Sequence, residues 1–433
     1  MSLPIFPTKT IRGRISVPGD KSISHRALML GAIAEGETVI CGLAPGEDVR
    51  STIHCLRQLG VSIREKDNEI YLKGYGRAGL QKSEKILDAG NSGTTMRLLS
   101  GILATQPFQT TITGDASLRR RPMRRIIEPL RQMGAKIESQ NNGRAPLIID
   151  GGKLHGIHYQ LPIASAQVKS CVLFAGLNAE GETVVEETIP TRDHSERLLR
   201  KMGATISVDS NQHSVFSKRI HICASELHGS EIDVPGDFSS AAFFIAAALL
   251  LPKSVLIIEN VGINPTRTAF LGVVSEMGAT IEMVNVRNES YEPVADLVIR
   301  QQHLQGVKVF GNRIPVLIDE IPILAIMATQ AEGETQIREA RELRVKESDR
   351  LTALTHNLRA MGAIVEELPD GLVINGPTKL RGAEVNSFGD HRITMAFAIA
   401  GLLADSPTII HDAECVDISF PVFFELLKEV CIS

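Results

Sequence analysis

The hydrophobic pattern of this chain repeats. Runs rich in Ala, Leu, Ile, Met and Gly follow short polar openings. The openings are Gly19-Asp20-Lys21-Ser22, Gly90-Asn91-Ser92-Gly93, Ser165-Ala166-Gln167-Val168, Gly236-Asp237-Phe238-Ser239, Asp319-Glu320-Ile321-Pro322 and Gly389-Asp390-His391-Arg392. Their first residues lie 71, 75, 71, 83 and 70 positions apart. Each run is apolar nearly all round, which predicts a helix buried on every side. A second series of helices, carrying Arg, Gln and Glu, ends at Gly60, Gly134, Gly203, Gly278 and Gly362, each followed by strand-like residues. Glycine just past the last helical residue is a helix stop.

Each unit therefore reads strand, buried helix, strand, second helix, glycine, strand, strand. Self-similarity at one fixed period marks a repeat architecture. Six units divide into two groups of three. The expected class is α/β, with two inside-out domains, each of three βαβαββ units with buried helices and outer sheets. Residues 1–20 form a strand without a helix of its own, so they are expected to pair with the second half. The boundaries are then 1–20 plus 236–433 for one domain and 21–235 for the other. The cleft between the domains is the expected ligand site.

Composition supports this and narrows it. In 433 residues, 43% are hydrophobic and 22% charged, enough for sizeable cores. Aromatics are 4% and Trp is absent, so the cores are built from aliphatic and small residues. The net charge of −4 argues against nucleic acid as a partner. The longest apolar run, Ala241 to Leu251, is too short to span a bilayer, and the start of the chain has no apolar signal core. The six cysteines show no C-x-x-C pair, which fits free thiols in a reducing cytoplasm. A cytoplasmic protein, with no membrane partner, is expected.

The chemistry concentrates in a few stretches. In Pro18-Gly19-Asp20-Lys21-Ser22-Ile23-Ser24-His25-Arg26, Ser22 or Ser24 is placed to cap a helix whose free N–H groups face Lys21 and Arg26. That is an anion site for a small ligand. Arg121 lies in the basic stretch Arg119 to Arg125, which on its own reads as a solvated loop. Lys346, Glu347 and Arg350 fall at i, i+1 and i+4, which on a helix puts Lys346 and Arg350 on one face. His155 and His158 alternate along a strand and face opposite ways, so no metal is assigned to them. Gly42 to Gly46 and Gly74 to Gly79 read as turns that open no helix.

Taken together, Gly19 to Arg26, Arg120-Arg121-Pro122-Met123, Ser165-Ala166-Gln167-Val168-Lys169-Ser170, Arg344 to Leu351 and Gly389-Asp390-His391-Arg392 resemble the 5-enolpyruvylshikimate-3-phosphate synthase family, in order, from Ile11 to Phe424. The resemblance implies the enolpyruvyl transferase fold. It also implies transfer of the enolpyruvyl group of phosphoenolpyruvate to the 5-hydroxyl of shikimate 3-phosphate by addition–elimination, with release of phosphate and no metal or organic cofactor. By similarity, Lys21, Ser22, Arg26, Ser165, Ala166, Gln167, Arg192, Asp319 and Lys346 bind shikimate 3-phosphate. Lys21, Gly93, Arg121, Gln167, Arg350 and Arg392 face phosphoenolpyruvate. Asp319 is the base on the hydroxyl, Glu347 moves the proton at the methylene, and Lys21 assists. A monomer is expected.

Ser165 to Lys169, Arg192 to Glu196 and Asn264-Pro265-Thr266-Arg267 resemble the class II subgroup, often tolerant of glyphosate. Gly93 departs from it, lacking the methyl side chain common there, so glyphosate is expected to compete with phosphoenolpyruvate. Two further departures are Ile418, where many members have lysine, and Glu342, where many have asparagine. Two rivals remain. One is a same-fold transferase acting on a UDP-sugar, which carries a cysteine in the loop matching Gly114 to Pro122, where this chain has none. The other is a non-catalytic anion-binding protein.

Overall fold

The structure, a computed structural model, describes residues 2–67, 69–210, 217–288 and 291–432. The chain divides into two compact units, Met1–Pro18 with Pro235–Ser433, and Gly19–Val234. Among the described residues, each holds three sheets.

In the unit Gly19–Val234 the buried helices are Lys21–Ala32, Gly93–Leu103 and Ala166–Gly176. Each sheet places a short strand parallel to the strand that leaves a buried helix, and then two antiparallel neighbours. Leu87–Asp88 beside Gln109–Thr113 and His158–Gln160 beside Glu182–Glu187 are the plain cases. For the first helix, the short strand comes from the far end of the unit: Glu231–Asp233 runs parallel to Glu35–Cys41. Small residues set how closely the helices approach. A Cβ on Gly101 would stand 2.2 Å from the backbone oxygen of Cys171 on the neighbouring helix. That is far inside any real contact, so glycine is required for this helix crossing.

The other unit repeats the plan with Phe238–Leu250, Ile321–Gln330 and His391–Leu403. Twelve consecutive residues, Phe238 to Leu249, are buried. Such a helix has no wet face and its whole circumference contributes to burial. The first sheet is completed from the start of the chain. Thr10–Ser16 lies inside it, parallel to Val255–Gly262 and antiparallel to Cys431–Ile432. Leu3–Ile5 forms one edge of the third sheet, against Thr408–His411. Gly60, Gly134, Gly203, Gly278 and Gly362 all have positive φ, between 84° and 102°, as helix stops require.

Three local readings are corrected. The Lys21 helix is capped by Asp20, whose carboxylate accepts from the Ile23 N–H at 2.9 Å; Ser22 lies in the first turn, and Ser24 donates back to the Asp20 carbonyl. Gly46 does open a helix, Glu47–Gln58. Residues 346–349 are not helical, because Asp349 caps a helix that starts only at Arg350. A short acidic side chain that can take the orphan N–H groups fixes the start later than charge spacing alone suggests.

Candidate functional site

In the unit Gly19–Val234, cationic side chains gather at the starts of the three buried helices. Lys21 Nζ donates to Asp48 Oδ2 at 2.8 Å. Arg26 is 2% exposed, and its guanidinium donates to Ser195 Oγ, the Ser22 carbonyl and Ser170 Oγ at 2.7, 2.8 and 2.8 Å. Arg192 Nη1 donates to Ser22 Oγ at 3.3 Å. Ser165 caps its helix by accepting from the Val168 N–H, which leaves the Ala166 N–H among those with no intrahelical partner. Gln167 is held at both ends of its amide. Its oxygen accepts from Arg97 Nη1 at 2.6 Å and its nitrogen donates to Thr94 Oγ1 at 2.9 Å.

Arg121 is not a solvated loop residue. Arg119, Arg120 and Arg124 are exposed, but Arg121 turns inward and donates to Asn91 Oδ1 at 2.7 Å. Gly93 opens its helix beside two of these arginines. A Cβ there would lie 2.9 Å from Arg97 Nη1 and 3.5 Å from Arg121 Nη1. Helix starts, with their free N–H groups and positive dipole ends, reinforce the cations around them. The arrangement suits small anions with phosphate or carboxylate groups.

In the other unit the charges alternate. Arg350 is 1% exposed. Its Nε donates to Asp390 Oδ2 and its Nη2 to Glu347 Oε2, both at 2.7 Å. Its Nη1 makes no hydrogen bond among the described residues and lies 3.7 Å from Asp319 Oδ1. Arg392 Nε stands 3.7 Å from that same oxygen, and its Nη1 donates to the Asp319 carbonyl at 2.9 Å. Asp390 also caps the last buried helix, accepting from the Arg392 N–H. Lys346 is half-buried. Burial, joined by the Arg350 charge, pulls its ammonium below the ordinary lysine range, against the opposing pull of Asp319 and Glu347. The Arg350 guanidinium is pushed the other way, upward, by Asp390 and Glu347 in spite of its burial. Carboxylates set beside desolvated cations can take and return protons at a reacting carbon and oxygen.

The structure thus brings Lys21, Ser22, Arg26 and Arg192 together, and Gly93, Arg121 and Gln167 together. It groups Asp319, Lys346, Glu347, Arg350 and Arg392. Sequence reasoning missed Arg97, Asp48 and the second role of Asp390. Arg97 sits one turn after Gly93, and that i, i+4 spacing was the available signal. Ile418 ends a short turn, Ala413–Ile418, and Glu342 is exposed, though its charge acts on Lys346. His158 pairs with Glu186 at the surface.

Comparison with known proteins agrees with this geometry. The family model described as EPSP synthase (3-phosphoshikimate 1-carboxyvinyltransferase) matches residues 5–427. A 3-phosphoshikimate 1-carboxyvinyltransferase of Synechocystis sp. is 56% identical over 423 residues, covering 97% of this chain and 94% of its own. One from Brevibacillus brevis is 51% identical and covers 99% of both. A solved EPSP synthase from Acinetobacter baumannii superposes with a TM-score of 0.87 at 44% identity, over 100% of this chain and 98% of that one. With the match running almost end to end, and the motif residues clustered as described, the chain belongs to the EPSP synthase (3-phosphoshikimate 1-carboxyvinyltransferase) family.

Proposed function

We propose that the two clusters are the anion-holding and proton-moving parts of the family's reaction. The chain transfers the enolpyruvyl group of phosphoenolpyruvate to the 5-hydroxyl of shikimate 3-phosphate, releasing phosphate, in aromatic amino acid biosynthesis. Lys21, Ser22, Ser165, Ala166, Gln167 and Arg192 hold shikimate 3-phosphate, with Arg26 supplying charge from behind Ser22. Asp319 and Lys346 take its hydroxyls. Phosphoenolpyruvate faces Lys21, Gly93, Arg121, Gln167, Arg350 and Arg392, and Arg350 Nη1 is the donor left for its carboxylate.

In the addition step, Asp319 accepts the proton of the attacking hydroxyl while its oxygen bonds to the enol carbon and Glu347 gives a proton to the methylene. In the elimination step, Glu347 takes a proton back from the resulting methyl group, the carbon–carbon double bond re-forms, and the carbon–oxygen bond to phosphate breaks as phosphate leaves. Lys21 lies near charge that develops on the leaving phosphate. The reading invokes no cofactor. The carrying observation is that Asp319, Glu347, Arg350 and Arg392 form one bonded cluster.

The motifs Ser165 to Lys169, Arg192 to Glu196 and Asn264 to Arg267 favour the class II subgroup, while Gly93 favours competition by glyphosate. A monomer in the cytoplasm is our reading; six free cysteines suit that compartment. A phosphate-release assay tests the assignment. Release only when phosphoenolpyruvate meets shikimate 3-phosphate supports it; release only with a UDP-sugar acceptor, or none at all, overturns it.

A further inference from the structure

A buried charge cluster in the unit Gly19–Val234 has no part in the chemistry above. Lys169 Nζ, 0% exposed, lies 3.2 Å from Glu187 Oε2 and 2.7 Å from Glu196 Oε1. Two carboxyl groups and one amine are thus sealed from water. Desolvating such a group costs several kcal/mol per ion, and apolar residues of similar size often serve stability as well or better. Its presence therefore points to a geometric task.

The bonds show which task. The second oxygen of Glu187, Oε1, accepts the Thr191 N–H at 3.2 Å and also the Thr191 hydroxyl. Thr191 is the residue before Arg192, whose guanidinium reaches Ser22 Oγ. Lys169 stands one turn along the helix from Ser165, and its N–H bonds the Ser165 carbonyl at 3.1 Å. Neighbouring residues add a second link: Ser170 Oγ and Ser195 Oγ are 2.6 Å apart, and both accept from the Arg26 guanidinium. The helix Ala166–Gly176 is thus fastened at both ends of the 188–193 loop, to Glu187 at the end of its strand and to Ser195 and Glu196 in the first turn of the helix His194–Lys201.

We propose that Lys169, Glu187 and Glu196 act through Thr191 as a positioning device for Arg192, holding its loop at a fixed distance from the helix start that carries Ser165 and Gln167. The device rests on the reading that Arg192 binds shikimate 3-phosphate. Burial raises the Glu187 carboxyl from its usual range, with the Glu196 charge adding to this and Lys169 opposing it.

The test is a double-mutant cycle in the full chain. Arg192→Ala should raise KM for shikimate 3-phosphate by about tenfold or more. Thr191→Val should raise it by about three- to tenfold, with kcat kept within about twofold. In the double variant the Thr191→Val effect should vanish, since contacting residues in one network are non-additive. Lys169→Met should lower Tm and, where folded, raise KM only while Arg192 is present. An unchanged KM in Thr191→Val, or effects that multiply in the double variant, overturns the device while leaving the binding role of Arg192 intact. An unchanged KM in Arg192→Ala overturns the binding role itself, and the device with it.

Discussion

His25 has no exposed surface, and its Nδ1 lies 2.7 Å from Thr52 Oγ1, which continues to Thr95 Oγ1 at 2.7 Å. Burial, then the charges of Lys21 and Arg26, hold its imidazole well below 6.5. The folded chain therefore keeps it neutral where the unfolded chain takes a proton. The sign follows: stability contributed by this neutral ring is present above pH 6.5 and is lost as pH falls below it, by roughly 1.4 kcal/mol per pH unit. Urea unfolding at pH 7.5 and 5.5 should show a smaller acid loss in His25→Gln than in the parent; equal losses count against it. Gly93→Ala is a second residue-scale case. Its methyl would press on Arg97 Nη1, which holds Gln167. KM for phosphoenolpyruvate should rise about three- to tenfold, and glyphosate inhibition should weaken more than that. Steady-state kinetics showing neither change would remove Arg97 from the account. Lys21 was legible in the sequence because its motif is dense with unusual choices. Arg97 and Asp48 were not, since a single charge on a helix looks the same whether it faces water or a neighbour's amide.

At the scale of elements, five of the six buried helices begin at a side chain that accepts a backbone N–H: Asp20, Ser92, Ser165, Asp237 and Asp390. The fifth in order follows Glu320, which makes no such cap. Asp390 does most, because it caps its helix and also neutralises Arg350. Asp390→Ala would leave that arginine buried without its main partner, at a cost of about 3–5 kcal/mol. An unfolding free energy within about 1 kcal/mol of the parent would show that Glu347 alone suffices to hold Arg350. Helix positions were legible because glycine stops and polar starts recur at one period. The start at Arg350 was not, since Lys-Glu-Ser-Asp-Arg supports a helix as well as a capped turn. Which short polar residue caps is settled by backbone geometry, as at Asp20.

For the whole molecule, sheet completion makes an asymmetric prediction. All three sheets of Gly19–Val234 are built from its own residues, including Glu231–Asp233. A fragment of residues 19–234 should melt cooperatively by circular dichroism. A fragment of residues 235–433 lacks Thr10–Ser16 from inside its first sheet and Leu3–Ile5 from its third, and should regain a melt only when residues 1–18 are restored. Equal behaviour of the two fragments would contradict this. The repeat announced six modules, and the partnerless first strand announced its destination. The three-residue strand Glu231–Asp233 was hidden, since Ile232 alone among its residues is buried and so short a stretch has no period to read.

Val17-Pro18-Gly19-Asp20-Lys21-Ser22 and Val234-Pro235-Gly236-Asp237-Phe238-Ser239 are two copies of one phrase that differ at their fifth word. Where the first copy keeps an ammonium, the second has Phe238, 1% exposed and edge-on to Phe270 at 6.4 Å. The same backbone phrase thus opens two buried helices, one presenting a cation and the other packing an aromatic ring into its core. Phe238→Lys would therefore not add a second anion grip; it would force an ammonium into a position built for a buried ring.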